Sequence, residues 1–189
     1  MTAPPDPQTS ARAHPADPLL GFLRGLGRRL AGWPRWVGAL LTVAWALLIW
    51  ASSSQPSGSV PAFPGMAFVA NLAHAPLFGL LAFWATLCLP RSSDPEGDAG
   101  NWPRLDRRTL PWLVGAVFLW AVIDEWHQAS VPGRQPSALD LVTDLVGATA
   151  TLVVIRWLGR SGADAPGLLA RLGVGLVACC AAAALSTWA

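Results

Sequence analysis

The feature that most constrains this chain is a series of five long apolar windows separated by short polar segments. The windows cover residues 36–52, 66–89, 110–129, 138–158 and 166–188. A helix needs about 20 mainly apolar residues to cross the hydrocarbon core of a bilayer. Charged residues make up only 13% of the chain, against about 25% in soluble domains. We therefore predict an all-α fold, a polytopic transmembrane helical bundle of about five spans.

The segments around these windows complete the predicted layout. Residues 1–18 are rich in proline and small polar residues and predict a disordered tail. Residues 19–35 place apolar residues at helical spacing with arginines between them, which favours a basic amphipathic helix lying on an anionic leaflet. A frayed juxtamembrane tail is the alternative. Residues 36–158 then form a four-span core, and residues 159–189 add a loop and a fifth span. Because 189 residues leave no room for a separate soluble catalytic domain, function must lie in the spans and their loops.

The arginines predict how the chain is oriented. All 13 basic residues are arginine, and twelve of them precede span one or lie around the connections between spans two and three and between spans four and five. Only Arg134 lies on the other side. Short loops rich in arginine stay in the cytoplasm. We therefore expect a multi-pass protein of the plasma (inner) membrane whose N-terminus is cytoplasmic and whose C-terminus is extracytoplasmic.

Polar residues within the spans cluster toward that outer side. The set comprises Asn71, His74, Asp124, Glu125, His127, Gln128, Arg134, Asp140 and Asp144. The four members on span three occupy one broad arc of the helix, with Trp126 opposite. A charge at the bilayer centre costs at least about 2.5 kcal/mol. Carboxylates in such excess over basic groups require shifted pKa values, a metal ion, a cationic ligand group or water. The cluster therefore predicts a functional site.

Single members of the cluster also have structural interpretations. His74 alone suits a hydrogen-bonded histidine inside a bundle, and Arg134 alone could cap a helix or meet a lipid phosphate. Asp140 lies at a plausible N-cap of span four, where a carboxylate accepts from free backbone N–H groups, whereas Asp144 lies one turn deeper. We assign no cofactor and no metal ligand. The alternative is a magnesium- or calcium-like cation on the oxygens of Glu125, Asp140 and Asp144.

The motifs at these positions resemble the VanZ-like family of bacterial membrane proteins. The resemblance rests on Ser53-Ser54-Gln55-Pro56, Asn71-Leu72-Ala73-His74, Asp124-Glu125-x-x-Gln128, Pro132-Gly133-Arg134, Asp140 and Gly147. It implies a VanZ-like four-span core over residues 36–158. It also implies an envelope role, because the founding member is associated with resistance to the glycopeptide teicoplanin. The chain departs from the family pattern at Asn71, where lysine is common, at Phe78, where tyrosine is common, and at Asp144, where asparagine is usual. The changes at Asn71 and Asp144 make the site more acidic.

Three functions are compatible with these residues. The first is chemistry on a lipid-linked or peptidoglycan-related ligand, with Glu125 and Asp124 as acid/base candidates, His74 as a proton partner and Arg134 holding a phosphate or carboxylate. In this hypothesis the ligand also contacts Asn71, His127, Gln128, Asp140 and Asp144. The second is a scaffold that binds a precursor without turnover, and the third is a proton- or ion-coupled transporter. The sequence does not decide whether the chain is an enzyme.

The expected partners follow from the membrane location and from the resemblance. They are membrane lipids, a lipid-linked envelope precursor and a second copy of the chain in a homo-oligomer. We expect no nucleic-acid partner.

Overall fold

The computed structural model describes residues 17–56, 63–91, 102–134 and 137–188, and these ranges contain six α-helices. The helices are α1 (Pro18–Ala31), α2 (Arg35–Ser53), α3 (Met66–Thr86), α4 (Thr109–Gln128), α5 (Ala138–Leu158) and α6 (Ala165–Trp188). The predicted disordered tail over residues 1–16, parts of the predicted loops and the last residue lie outside the described ranges.

Five of these helices, α2 to α6, are long and apolar enough to cross a membrane. Large apolar side chains point away from the bundle along them, and Leu40, Val174 and Leu176 are 60%, 71% and 64% exposed. Water would penalise such a surface, whereas lipid accepts it. The predicted helical membrane bundle is therefore confirmed, and the chain is a multi-pass membrane protein. Each predicted span corresponds to one helix, with ends that differ by a few residues.

Helix α1 begins earlier and ends earlier than the predicted amphipathic segment. Asp17 is its N-cap, because its Oδ1 accepts from the backbone N–H of Leu19 at 2.9 Å and of Leu20 at 3.2 Å. The helix therefore starts inside the segment predicted as a tail. It stops at Ala31, before the sequence Gly-Trp-Pro, and Arg35 already belongs to α2.

Helix α1 packs against the end of the bundle where α5 stops and α6 begins. The Arg24 guanidinium donates to the carbonyl oxygens of Leu158, at 3.0 Å, and of Arg160. The indole of Trp102 lies between α1 and α5 and donates to the carbonyl of Ile155 at 3.0 Å. Leu19 and Phe22 of α1 remain exposed, as an interfacial helix requires. Its placement on a leaflet stays a prediction.

The centre of the fold is the close pair formed by α3 and α5, which have the most extensive contact of any two helices. Gly147 makes this approach possible: a Cβ there would lie 2.1 Å from the carbonyl oxygen of Ala75. One turn away, a Cβ at Gly79 would lie 2.6 Å from Oγ1 of Thr151. Small residues on α5 and α3 thus let the two backbones approach closely, as is common for helices that pack in lipid.

The loop before α4 is held by Asp106. Its Oδ1 accepts from the backbone N–H groups of Thr109, at 2.8 Å, and Arg108, at 2.9 Å. These donors stabilise the charged form, so the pKa of Asp106 is lowered to about 2. The contacts fix the point at which the chain enters the bundle.

Candidate ligand-binding site at the polar end of the bundle

Five helix ends meet at one end of the bundle, opposite α1, and together carry most of the polar side chains of the spans. These are the C-terminal ends of α2, α4 and α6 and the N-terminal ends of α3 and α5. Helices α2 to α5 and the turn before α5 line a cavity of about 330 Å³, which we call the polar cavity. Its polar lining consists of Ser52, Ser53, Asn71, His74, Asp124, Gln128, Arg134 and Asp140. The polar end therefore offers a shaped space for a small ligand or for part of a larger one.

Asp124 is buried at the wall of the polar cavity and is held from two sides. The Ser53 hydroxyl of α2 donates to its Oδ1 at 2.6 Å, and Nε2 of Gln128 donates to its Oδ2 at 2.9 Å. Gln128 lies one turn after Asp124 on α4, so the spacing along the helix brings the two together. Asp124 thereby links α2 to α4 at the edge of the cavity.

Glu125 does not line the cavity but lies buried beside it. The backbone N–H of Ser137 donates to its Oε2 at 2.9 Å, and Nε2 of Gln128 approaches its Oε1 at 3.4 Å. Glu125 therefore fastens the beginning of α5 to the end of α4. In this arrangement the carboxylate has a partner on each oxygen.

The N-cap of α5 is Ser137, and the predicted N-cap role of Asp140 is wrong. The Ser137 hydroxyl accepts from the backbone N–H of Leu139 at 3.2 Å. Asp140 lies in the first helical turn, where its charge still favours the positive end of the helix dipole. Its Oδ1 accepts from the hydroxyl of Ser186. Asp140 is therefore free of the capping role and lines the polar cavity.

His74 of α3 and Asp144 of α5 form a pair. Nδ1 of His74 lies 3.0 Å from Oδ1 of Asp144, and Asp144 is almost fully buried behind the imidazole. The carboxylate accepts the Nδ1 proton, which orients the ring and leaves Nε2 for the polar cavity that His74 lines. Phe78, one turn further on, has its ring nearly parallel to the imidazole. Asp144 thus acts on the cavity through His74.

Arg134 reaches the polar cavity from the turn between α4 and α5. Gly133 has a φ of 77°, in the left-handed region that favours glycine, and the Arg134 N–H donates to the carbonyl of Val131 at 3.1 Å. The guanidinium donates through Nε to the carbonyl of Gln55 at 3.2 Å and approaches Oε1 of Gln128 at 3.5 Å. The turn therefore brings the guanidinium back over the helix ends, where it lines the mouth of the cavity.

His127 lies apart from the residues that line the polar cavity. Its ring stacks on Trp50 of α2, with 3.7 Å between ring centroids, and its Nε2 lies 2.8 Å from Oγ of Ser54. The Ser54 hydroxyl proton goes to the carbonyl of Trp50 at 2.6 Å, so its oxygen accepts from Nε2. His127 thus joins α2 to α4. It does not line the polar cavity, although the predicted ligand-binding role requires it to reach the ligand.

Three hydroxyl residues contact predicted site residues that line the polar cavity, although sequence reasoning did not assign them to the site. Ser53 holds Asp124, Ser186 holds Asp140, and the Nδ2 group of Asn71 donates to Oγ1 of Thr187 at 3.0 Å. Ser53 stands at the start of the Ser53-Ser54-Gln55-Pro56 motif, which could have indicated it. Ser186 and Thr187 are the only consecutive hydroxyl residues in the last apolar window, which is a weak signal.

The acidic residues are spread around the polar end. Within the described ranges, no three His, Cys, Asp or Glu side chains form a group that could hold a metal ion. Asp144 faces His74, and Glu125 faces Ser137, so each is engaged with a protein donor.

Comparison with known proteins places most of the chain in one family. The family model described as VanZ/LLP1 matches residues 36–159. No curated protein and no solved structure matches the chain. The matched range includes every residue that lines the polar cavity, whereas α6, with Ser186 and Thr187, lies outside it.

Proposed function

Because the chain belongs to the VanZ/LLP1 family of membrane proteins, we propose that its polar cavity binds a lipid-linked or peptidoglycan-related ligand of the cell envelope. The observation that carries this proposal is the cavity itself, where Arg134 stands at the mouth and Asp124, Asp140 and His74 stand inside. A guanidinium pairs well with phosphate or carboxylate groups through its planar set of donors. The resemblance to VanZ-like proteins adds the expectation that this binding affects glycopeptide resistance.

The proposed site faces the extracytoplasmic side. Twelve of the 13 arginines precede span one or lie around the connections between spans two and three and between spans four and five, and short basic loops are retained in the cytoplasm. The polar cavity is then accessible from the outer leaflet, where lipid-linked precursors are used for wall synthesis. This location fits a ligand that glycopeptides also recognise.

The hydrogen bonds favour binding over acid/base catalysis by Asp124 and Glu125. Each of these carboxylates has a protein donor on both oxygens, at distances of 2.6 Å and 2.9 Å for Asp124 and of 2.9 Å and 3.4 Å for Glu125. A general base must reach the proton that it abstracts, but Glu125 does not line the cavity, and two donors tie the carboxylate of Asp124 to the cavity wall. We therefore assign the pair to shaping the cavity, in place of the acid/base role that the sequence suggested.

The second candidate function is acid/base chemistry at His74, and the carboxylate of Asp144 favours it. A carboxylate on Nδ1 selects the tautomer with Nε2 unprotonated and stabilises the imidazolium that forms when Nε2 takes a proton. His74 lines the polar cavity, so Nε2 is the atom through which a bound substrate would exchange a proton. This candidate differs from simple binding only in that the ligand is converted to a product.

Arg134→Lys is the variant that tests ligand binding. Lysine keeps the positive charge but lacks the planar donors, so we expect the affinity for a lipid-linked disaccharide-pentapeptide precursor to fall about tenfold, as for the loss of about 1.4 kcal/mol of binding free energy. The measurement is titration of the purified full chain with this precursor, together with teicoplanin susceptibility of cells at equal membrane abundance.

Arg107→Lys is the matched control. Because Arg107 is exposed at the other end of the bundle, this variant should bind the precursor as the wild type does. Equal precursor binding by wild type and Arg134→Lys would contradict the proposal. Mass spectrometry of precursors from cells with wild type or His74→Gln then separates the two candidates. A covalent product that depends on His74 supports catalysis, and an unchanged precursor pool supports binding alone.

A further inference from the structure

The protein partners of Asn71 fix the direction of its amide group. The Thr187 hydroxyl donates its only proton to the carbonyl of Ala183 at 2.7 Å, so its oxygen can only accept from Asn71. Asn71 must therefore present its NH₂ group, and Nδ2 lies 3.0 Å from Oγ1 of Thr187. The amide orientation follows from chemistry and not from a choice between similar atoms. Asn71 keeps Oδ1, an acceptor, and the second N–H of its amide for the polar cavity that it lines.

Gln128 is oriented by the same reasoning. Its Nε2 lies 2.9 Å from Oδ2 of Asp124 and 3.4 Å from Oε1 of Glu125, so both amide protons face carboxylate oxygens. Its Oε1 faces the other way, 3.5 Å from Nη1 of Arg134. The reverse orientation would set an oxygen against two carboxylates and an NH₂ group against a guanidinium. Gln128 therefore contributes an acceptor to the cavity.

The remaining polar groups inside the cavity are also acceptors. The hydroxyl protons of Ser52 and Ser53 go to the carbonyl of Leu48 at 2.8 Å and to Asp124 at 2.6 Å. In the neutral ring, Nε2 of His74 is an acceptor because Nδ1 carries the proton that faces Asp144. Asp140 adds a carboxylate. Among the described residues that line the cavity, Arg134 is thus the one charged donor, and it lies at the mouth.

We propose that the interior of the polar cavity binds a primary ammonium group of the envelope ligand, while the anionic group of the same ligand meets Arg134. This inference rests on the proposed function and names the ligand's chemistry. An ammonium has three donors and no acceptor, which complements a wall made of carbonyl, carboxylate and imidazole acceptors. Asp124 and Asp140 on the wall, with Glu125 directly behind it, supply the opposite charge.

Two sources in the envelope carry this chemistry, a phosphoethanolamine lipid headgroup and an amine on a peptide precursor. Paired probes separate them. The first pair is glycerophosphoethanolamine and glycerophosphocholine, which share the phosphate and the net charge and differ in N–H donors. The second pair is a lysine-containing pentapeptide with its side-chain amine free or acetylated. All four are titrated into the purified full chain by calorimetry.

We expect one free-amine probe to bind at least about tenfold more tightly than its blocked counterpart. The pair that shows this difference identifies the source. Equal affinity within both pairs, including no measurable binding in either, overturns the ammonium assignment. The proposed function has a separate test. It is contradicted if the disaccharide-pentapeptide precursor binds equally well to the wild type and to Arg134→Lys.

Variants at Thr187 test whether α6 sets this preference. Thr187→Val keeps the shape of the side chain but removes the acceptor for Asn71, so the amide can turn its NH₂ group into the cavity. We expect the preference for the free amine to fall about fivefold. Thr187→Ser retains the hydroxyl and should retain the preference. Thr42→Val, which removes a hydroxyl bonded to the carbonyl of Gly38 at the other end of the bundle, is the matched control.

The ratio of affinities distinguishes a role in positioning Asn71 from a loss of folded protein, because both probes are measured on the same sample. An unchanged ratio in Thr187→Val shows that the amide orientation does not select the ligand and overturns the role of α6. The role of α6 is also overturned if Thr42→Val lowers the ratio of affinities, since the Thr42 hydroxyl lies far from the polar cavity.

Discussion

Glu125 shows how a single residue can join two helices beside a cavity that it does not line. Its Oε2 accepts from the backbone N–H of Ser137, and its Oε1 lies near Nε2 of Gln128. Both neighbours are donors, and the residue is buried. An unpaired buried donor costs about 1–3 kcal/mol. The carboxylate is therefore needed here for its acceptors as much as for its charge.

We expect Glu125→Gln to insert and fold but to lower the free energy of unfolding by about 1–3 kcal/mol. Whichever way the new amide turns, its NH₂ group faces either the Ser137 N–H or the Gln128 NH₂ group. Thermal unfolding of the purified protein in detergent measures the change. Asp164→Asn is the control, because the exposed Asp164 accepts from the Gly167 N–H and asparagine accepts about as well. Equal stability of Glu125→Gln and wild type would show that Glu125 does not hold α5.

Sequence reasoning located the polar residues but could not separate those that line the cavity from those that pack elsewhere. Asp124, His127 and Gln128 share one arc of a helix, yet Asp124 and Gln128 face the cavity while His127 stacks on Trp50. An arc of a helix that touches several neighbours holds more than one environment. Which residue faces which neighbour depends on the rotation of the helix, and this is set by packing partners that lie far away in the sequence.

At the scale of helices, the close approach of α3 and α5 depends on Gly147. We expect Gly147→Ala to destabilise the fold by about 3 kcal/mol or more, because the added Cβ would lie 2.1 Å from backbone oxygen of Ala75 and the helices would have to separate. Since His74 and Asp144 lie on these two helices, we also expect weaker precursor binding. The measurements are thermal unfolding and titration on the same preparation.

Gly115→Ala is the control for this substitution. Gly115 lies within α4 and has no atom within 4 Å of an added Cβ, so the exchange should leave stability unchanged or raise it by up to about 1 kcal/mol. A Gly147→Ala protein as stable as this control would mean that α3 and α5 are further apart than the structure shows.

The start of α5 provides a second prediction at this scale. Ser137→Ala removes the side-chain acceptor for the Leu139 N–H, so we expect a loss of about 1 kcal/mol, whereas Ser137→Asn should keep most of the stability. Denaturation of the two variants side by side measures the difference. If both variants lose the same amount of stability, the hydrogen bond from the Ser137 backbone N–H to Glu125 holds this helix end, and the side-chain cap contributes little.

The helices themselves could be predicted because the bilayer sets both the length and the composition of a span. The sequence-based prediction was weakest for the exact starts of the helices, which the bilayer does not constrain. Asp17 caps α1 within the segment predicted as a tail, and Ser137 caps α5 where Asp140 was expected. Capping depends on backbone geometry over two or three residues, and Ser, Asp and Asn are nearly equivalent at such positions. The sequence therefore offered several candidates for each helix start.

For the whole molecule, the family match covers the lining of the polar cavity but not every residue that holds this lining in place. The match ends at residue 159, but α6 supplies Ser186 to Asp140 and Thr187 to Asn71. The fifth span therefore lies behind the wall of the cavity, where Ser186 and Thr187 hold the side chains of two lining residues, Asp140 and Asn71. Contacts between the last span and spans two and four connect residues more than 40 positions apart, which explains why sequence patterns did not reveal them.

The remaining prediction concerns the orientation of the whole molecule, on which the nature of the ligand depends. Reporter fusions within residues 52–64 should report an extracytoplasmic location, and fusions within residues 91–109 should report a cytoplasmic location. A fusion after the last residue should also report outside. The physical reason is the arginine distribution, with twelve residues on one side and Arg134 alone on the other. Alkaline phosphatase and green fluorescent protein at each position give opposite signals, so each serves as the control for the other. The reverse pattern would leave the fold and the polar cavity intact but would turn the cavity toward the cytoplasm, where its ligand could not be an outer-leaflet precursor.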